Sequence, residues 1–265
     1  MPTKGLVIIP NKASAIPVIE SASNHSYDLP FRPPAPLPIH GSLYICGAVN
    51  SGKTNLITAL LLSHRTKKHP SRVKYYYGYF DQIHLVSGSL QTLPVELFGL
   101  TPECLHASYD DDMFQDILKQ VKDGDNGNSL IILDDTIDSL KRSKILTSAF
   151  LNRRHICQNG KSDTRATLSM WVSSQKYNLL PLKFRSNMSH VILFRTANEA
   201  ELGAIKSELM ADLTKEQQDK ILKLAWSEPF GFLFIDSFAT DPDKRYYANF
   251  SRIKLDFEDD REGSK

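Results

Sequence analysis

The chain has 265 residues, 32 Lys and Arg against 30 Asp and Glu, and a formal net charge of +2; 41% of it is hydrophobic and 23% charged. That composition is ordinary for a globular protein of one large domain or two small ones, and the near-neutral balance excludes coating of nucleic acid by bulk charge while leaving room for a local basic patch. Cys46, Cys104 and Cys157 have no paired spacing, which argues against a disulfide scaffold or a cysteine zinc site and for a reducing compartment.

Residues 1–40 hold 8 of the 14 prolines, and Pro30 to Pro38 (PFRPPAPLP) predicts an extended, polyproline-like arm. Ser42 to Cys46 (SLYIC) predicts a short strand running into a glycine loop, and Asn55 to His64 a helix. Gln82 to Val86 (QIHLV) reads as a strand, and Asp111 to Lys122 as a helix with Met113, Ile117, Leu118 and Val121 on one face. Leu130 to Leu133 (LIIL) is too short for a helix and reads as a buried strand, followed by a helix over Ser139 to Arg154. Leu168 to Ser173 and His190 to Phe194 are further strands, and Asn198 to Met210 and Thr214 to Trp226 further helices, with Thr214 and Gln217 forming a capping box. Phe230 to Asp236 and Tyr246 to Phe250 close the domain as strands, and a polar tail follows. The divisions are an arm over 1–40, a domain over 41–252 and a tail over 253–265. Fully apolar strands alternating with helices predict an α/β fold with a mostly parallel sheet covered on both faces. No apolar run approaches the roughly 18 residues of a membrane helix, and no signal pattern opens the chain, so no membrane anchor is expected.

The strongest motif is Gly47-Ala48-Val49-Asn50-Ser51-Gly52-Lys53-Thr54, a full match to GxxxxGK[ST], with Asn55 next on the helix. Its glycines let backbone N–H groups converge on phosphate oxygens, Lys53 supplies charge for the β- and γ-phosphates, and the Thr54 hydroxyl suits Mg²⁺. The implied ligands are ATP and Mg²⁺. LIIL ends in Asp134 and Asp135, the Walker B pattern, with Asp134 for Mg²⁺ through water and Asp135 to orient or deprotonate the attacking water; a polar turn or helix cap is the alternative. Gln175, at the end of the next strand, reads either as a γ-phosphate sensor or as an ordinary strand-end amide. The order of these motifs suits motor ATPases in which one strand separates the first two.

From Lys141 to Arg165 there are seven Lys or Arg and one acid, Asp163. Arg153 and Arg154, and Arg185 further on, are candidates for an arginine that reaches the γ-phosphate held by a neighbouring subunit; capping of helix ends or surface pairing is the alternative. The loop Gln158 to Thr167 (QNGKSDTRAT) and the cluster His64 to Lys74 (HRTKKHPSRVK) are basic, and each reads either as plain solvated surface or as a contact for nucleic-acid phosphates.

With these motifs in order (GAVNSGKT, FDQIHLVS, LIILDD, NRRH, SSQ, then FRSN and HVILFR), the chain resembles the poxvirus-type genome-packaging ATPases of large DNA viruses and virophages, within the FtsK–HerA class of pumps. The resemblance runs from about Gly41 to Phe250. It implies a RecA-like P-loop ATPase that works as an oligomeric ring, a pentamer or hexamer, and drives double-stranded DNA into a preformed capsid at a capsid or portal vertex. It also implies a viral protein of the host cytoplasm or virus factory, and of the virion as a further location. Rival readings are another pump or helicase of the same class, a nucleotide-binding assembly protein without motor activity, and a small-molecule kinase. Two features depart from the pattern. Asp135 is one methylene shorter than the Glu of many motors in the class, and the segment Cys157 to Thr167 is longer than the usual link to the sensor strand.

Overall fold

A computed structural model describes residues 7–9, 32–90, 100–123, 127–156 and 167–254. Of the predicted tail over 253–265, residues 253–254 belong to a strand of the sheet, and 255–265, with most of the loop over 158–167, lie outside the described residues.

The central strand is β2 (Ser42–Cys46), buried along its whole length. It pairs in parallel with β6 (Thr167–Ser174) on one side and with β7 (His190–Phe194) on the other. Beyond β6 come β5 (Asn128–Asp134), β3 (Gln82–Ser87) and the two-residue β4 (Leu105–His106), all parallel. Beyond β7 the sheet turns antiparallel through β8 (Phe232–Asp236), β9 (Tyr246–Ala248), β10 (Ser251–Lys254) and β1 (Val7–Ile9). Among the described residues the order is β1-β10-β9-β8-β7-β2-β6-β5-β3-β4, so β6 separates the strand before the glycine loop from the strand that ends in Asp134.

The inner strands are apolar on both sides because both faces are covered. One face packs α2 (Asp111–Asp123), α4 (Lys144–Ile156), α6 (Glu199–Leu209) and α7 (Lys215–Ala225) over Tyr44, Ile131, Met170 and Val191. The other packs α1 (Lys53–Leu62) and an aromatic group of Tyr76, Tyr79 and Phe80 over Ile45, Leu130, Trp171 and Ile192. The end of the proline-rich arm closes this face: Leu37 is buried, and Tyr76 and Tyr79 donate their hydroxyls to the carbonyls of Pro38 and Ile39.

Three expectations are corrected. The helix predicted over Ser139 to Arg154 is two helices, α3 (Ile137–Arg142) and α4, because extended Ser143 interrupts it. Its hydroxyl accepts from Leu146 N at 3.0 Å and caps α4, while Tyr109 and Asp111 hold it from the far side. The last predicted strand is two: Asn249 and Phe250 take φ of 48° and 67°, turning the chain from β9 into β10. The stretch predicted as extended over Pro30 to Pro38 turns within itself, Leu37 N donating to Pro34 O at 3.0 Å. The α7 capping box forms as predicted, Thr214 Oγ1 accepting from Gln217 N and Gln217 Oε1 accepting from Thr214 N.

Two buried histidines make the fold acid-sensitive. Burial pushes His84, on β3, down to about 4, with His106 alongside adding repulsion. Burial does the same to His190, where Arg153 lowers the value further and Asp236, 3.7 Å away, opposes. The unfolded chain titrates its histidines near 6.5, so below that pH it binds protons that the fold refuses. Stability is therefore expected to fall as pH drops from about 6.5 toward 4. Melting temperatures across that range check this, and His84→Leu should flatten the slope; an equal slope in the variant would count against it.

Candidate functional site

The site is built at the C-terminal ends of the parallel strands. β2 delivers Gly47, whose N–H donates to Ser174 O at 3.1 Å. A Cβ at Gly47 would stand 2.5 Å from Ser51 Oγ and 2.7 Å from Phe194 Cβ, so no side chain fits there. The loop turns left-handed at Asn50 (φ 61°), which asparagine tolerates, and at Gly52 (φ 103°), which demands glycine. α1 starts at Lys53 with no acid in its first turn, so the positive end of its dipole and its unpaired N–H groups face the loop. Ala48, Val49 and Asn50 are exposed at the loop tip, and Asn55 is exposed on the first turn of the helix.

Lys53 lies folded over the loop, buried, its Nζ donating to Gly47 O at 2.7 Å and Ala48 O at 3.1 Å. The Ser51 hydroxyl is buried, and among the described residues it has no hydrogen-bond partner. Oxyanions at the loop would supply acceptors for both groups. Cys46, next to the loop, is kept as the neutral thiol, since burial pushes it up to about 12.

Asp134 occupies one transverse row of the sheet with Ser87 and Ser173, at the ends of β5, β3 and β6. Its Oδ2 accepts from Ser87 Oγ at 2.9 Å and its Oδ1 from Ser173 Oγ. Each oxygen keeps a lone pair; Asp134 and Thr54 also border one small cavity, whose lining with Ile57, Leu85 and Ile132 is apolar. One hydroxyl and one fixed carboxylate are the hard oxygen donors that Mg²⁺ takes, so these residues fit that ion. Asp135 is exposed and left-handed (φ 50°), and Gln175 Nε2 donates to its Oδ2 at 3.2 Å. Gln175 is steadied from below by Tyr44, which hydrogen-bonds Ser174 Oγ at 2.6 Å and donates to the carbonyls of Lys176 and Tyr177. Burial pushes the Tyr44 phenol well up, so it stays a neutral donor.

The structure thus brings Lys53, Thr54, Asp134, Asp135 and Gln175 to one edge of the sheet and leaves the predicted arginines elsewhere. Arg153 is buried on α4 close enough to His190 to depress that imidazole. His190 opens β7, so Arg153 lies at the edge opposite the phosphate loop, with Arg154 next on the same helix. Arg185 is bound within its own chain: it pairs with both oxygens of Glu208, at 2.8 and 2.6 Å, donates to Leu180 O, and stacks on Tyr177. The sequence assigns no role to Ser87 and Ser173, which hold Asp134, although they stand in FDQIHLVS and SSQ, each at the polar end of an apolar strand.

No family model and no curated protein matches the chain. Among solved structures, the DNA-packaging ATPase B204 of Sulfolobus turreted icosahedral virus is similar over 78% of this chain and 96% of its own, with 18% identity and a TM-score of 0.52. The genome-packaging NTPase B204 of Sulfolobus turreted icosahedral virus 2, in complex with AMP, is similar over 84% of this chain and 100% of its own, at 17% identity and a TM-score of 0.53. The same protein in complex with AMPPCP gives 17%, 80%, 98% and 0.51. At these identities the likeness is one of fold, and the chain has the fold of a P-loop NTPase.

Proposed function

We propose that this chain is an ATPase of the FtsK–HerA class, the motor subunit that drives double-stranded DNA into a preformed viral capsid. The observation that carries the reading is the spacing of the site across the sheet. The phosphate loop follows β2, Asp134 and Asp135 end β5, and Gln175 follows the one strand between them. The packaging function printed for the similar B204 proteins supports it.

In this reading the loop N–H groups and Lys53 hold the β- and γ-phosphates, Lys53 exchanging its bonds to Gly47 O and Ala48 O for phosphate oxygens. Thr54 and Asp134 hold Mg²⁺, which when bound neutralises charge on the phosphates. Asp135 orients the attacking water or takes its proton, and Gln175, bonded to Asp135, fixes the direction of that carboxylate and reports on the γ-phosphate. The ring is a pentamer or hexamer that docks on a capsid or portal vertex. Arg153, Arg154 and Arg185 are the candidates for its trans arginine, and buried Arg153 and Glu208-paired Arg185 would each first have to leave their present places.

Duplex contact through phosphates draws support from a cleft between Arg32 and the segment 64–77, lined by His64, Arg65, Lys74 and Tyr77. Five Lys or Arg and no acid lie between His64 and Lys74. Among the described residues no helix is long and apolar enough to cross a membrane.

The test is ATP hydrolysis with and without long double-stranded DNA, with Lys53→Ala as the blank. DNA-stimulated turnover, lost in the variant, is expected. Turnover indifferent to DNA would transfer the reading to an assembly ATPase or a kinase.

A further inference from the structure

Aromatic side chains in this chain are mostly buried, and Phe230 is the strongest exception among the described residues, 69% exposed. It lies in the turn between α7 and β8 with φ of 60°, a left-handed backbone that bulky side chains rarely adopt. The turn gives it no way inward. Gly231 N donates to Glu228 O at 2.9 Å, and a Cβ at Gly231 would stand 2.6 Å from Ala225 O. One residue on, Phe232 N donates to Asn249 Oδ1 at 3.0 Å and Phe232 O accepts from Asn249 N at 3.1 Å. The backbone on the C-terminal side of Phe230 is therefore clamped, and the ring is delivered against the phosphate loop. A Cβ at Gly52 would meet Phe230 Cδ1 at 3.5 Å and Phe194 Cε1 at 3.6 Å.

The position has a use. A nucleotide whose phosphates occupy the loop must send its base out past one flank. On the flank toward β5 stand Thr54, Asp134 and Asp135, polar groups committed to phosphate chemistry. On the flank toward β7 and β8 stands the phenyl ring, apolar and open to solvent. A flat base laid on it would cover exposed apolar surface at little cost in ordering, because the turn has already fixed the backbone that carries the ring.

We propose that Phe230 is the stacking shelf for the base of the bound nucleotide. The proposal rests on the reading of the phosphate loop as a nucleotide site and adds to it what holds the other end of the ligand. Stacking area, not an edge-reading hydrogen bond, would set base preference at this shelf, so purine nucleotides should bind ahead of pyrimidine ones.

The test compares ATP with inorganic tripolyphosphate, which carries the phosphates without a base, by calorimetry on the full chain. Phe230→Ala should weaken ATP about tenfold or more and leave tripolyphosphate unchanged. Phe230→Trp should restore ATP affinity, and its added fluorescence should be quenched by ATP but not by tripolyphosphate. Unchanged ATP binding in Phe230→Ala would overturn the shelf, and so would an equal loss of both ligands, which would mean that the ring only shapes the loop. Lys53→Ala should weaken both ligands. A wild-type chain that binds neither would overturn the nucleotide reading itself.

Discussion

Asp134→Asn is expected to leave the chain folded while lowering ATP turnover about 10²–10³-fold, the loss that follows removal of one fixed electrostatic group from a transition state. The substitution keeps the shape and the packing at the end of β5. It also keeps both hydrogen-bonded neighbours, because the hydroxyls of Ser87 and Ser173 rotate and accept as readily as they donate. Only the negative charge is lost, and with it the carboxylate that would hold a divalent cation together with Thr54. Nucleotide binding without divalent cation should stay within about twofold, since Lys53 and the loop amides are untouched. Steady-state hydrolysis together with calorimetry in chelator separates the two quantities. Full turnover in the variant would remove Asp134 from the site. A matched loss of turnover and of metal-free binding would mean that it holds the loop rather than the ion.

Trp171→Ala should cost about 3–5 kcal/mol of stability, the usual range for emptying a buried tryptophan site. Trp171 sits mid-strand on β6, 2% exposed, with the rings of Tyr76 and Phe80 edge-on to it at 5.4 and 6.0 Å. Those rings belong to the segment that the proline-rich arm covers, so the cavity cannot collapse without moving both layers. β6 also carries Ser173 and leads into Gln175, so the remaining folded protein should lose activity as well. Denaturant unfolding gives the first effect directly. A loss under 1 kcal/mol would show that the aromatic layer repacks.

Most of the nucleotide site was legible because its parts are contiguous. SLYIC, GAVNSGKT and the following apolar helix lie within one short stretch, and so do LIIL and its two acids. The unforeseen parts depend on partners far along the chain. Ser143 breaks a helix because Tyr109 and Asp111 hold its hydroxyl, and no local pattern records that. Ser87 and Ser173 gain a role only when register sets them on either side of Asp134. Arg185 reads from sequence as either a trans arginine or a paired one, and the acid that pairs it, Glu208, is 23 residues away. Phe230 reads as the start of a strand, and its exposure is set by the turn it occupies and the helix and strands around it. Val7–Ile9 is three residues long, and what makes it a strand is an edge offered by β10 at the other end of the sequence.

The central strand also sets a schedule for biosynthesis. β2 leaves the ribosome early, but both of its neighbours come late. Ser169 and Ser189, whose hydroxyls take the N–H groups of Gly41 and Ser42, follow 128 and 147 residues behind. At about 5–20 residues per second the unpaired segment waits roughly 6–30 s for them. Throughout that interval SLYIC is an apolar ribbon with two open edges, the kind of segment that seeks a strand on another chain. Nascent chains crowded on one polysome are where this protein is most exposed to misassembly, and a chaperone that shields residues 42–46 until β7 emerges would serve it best.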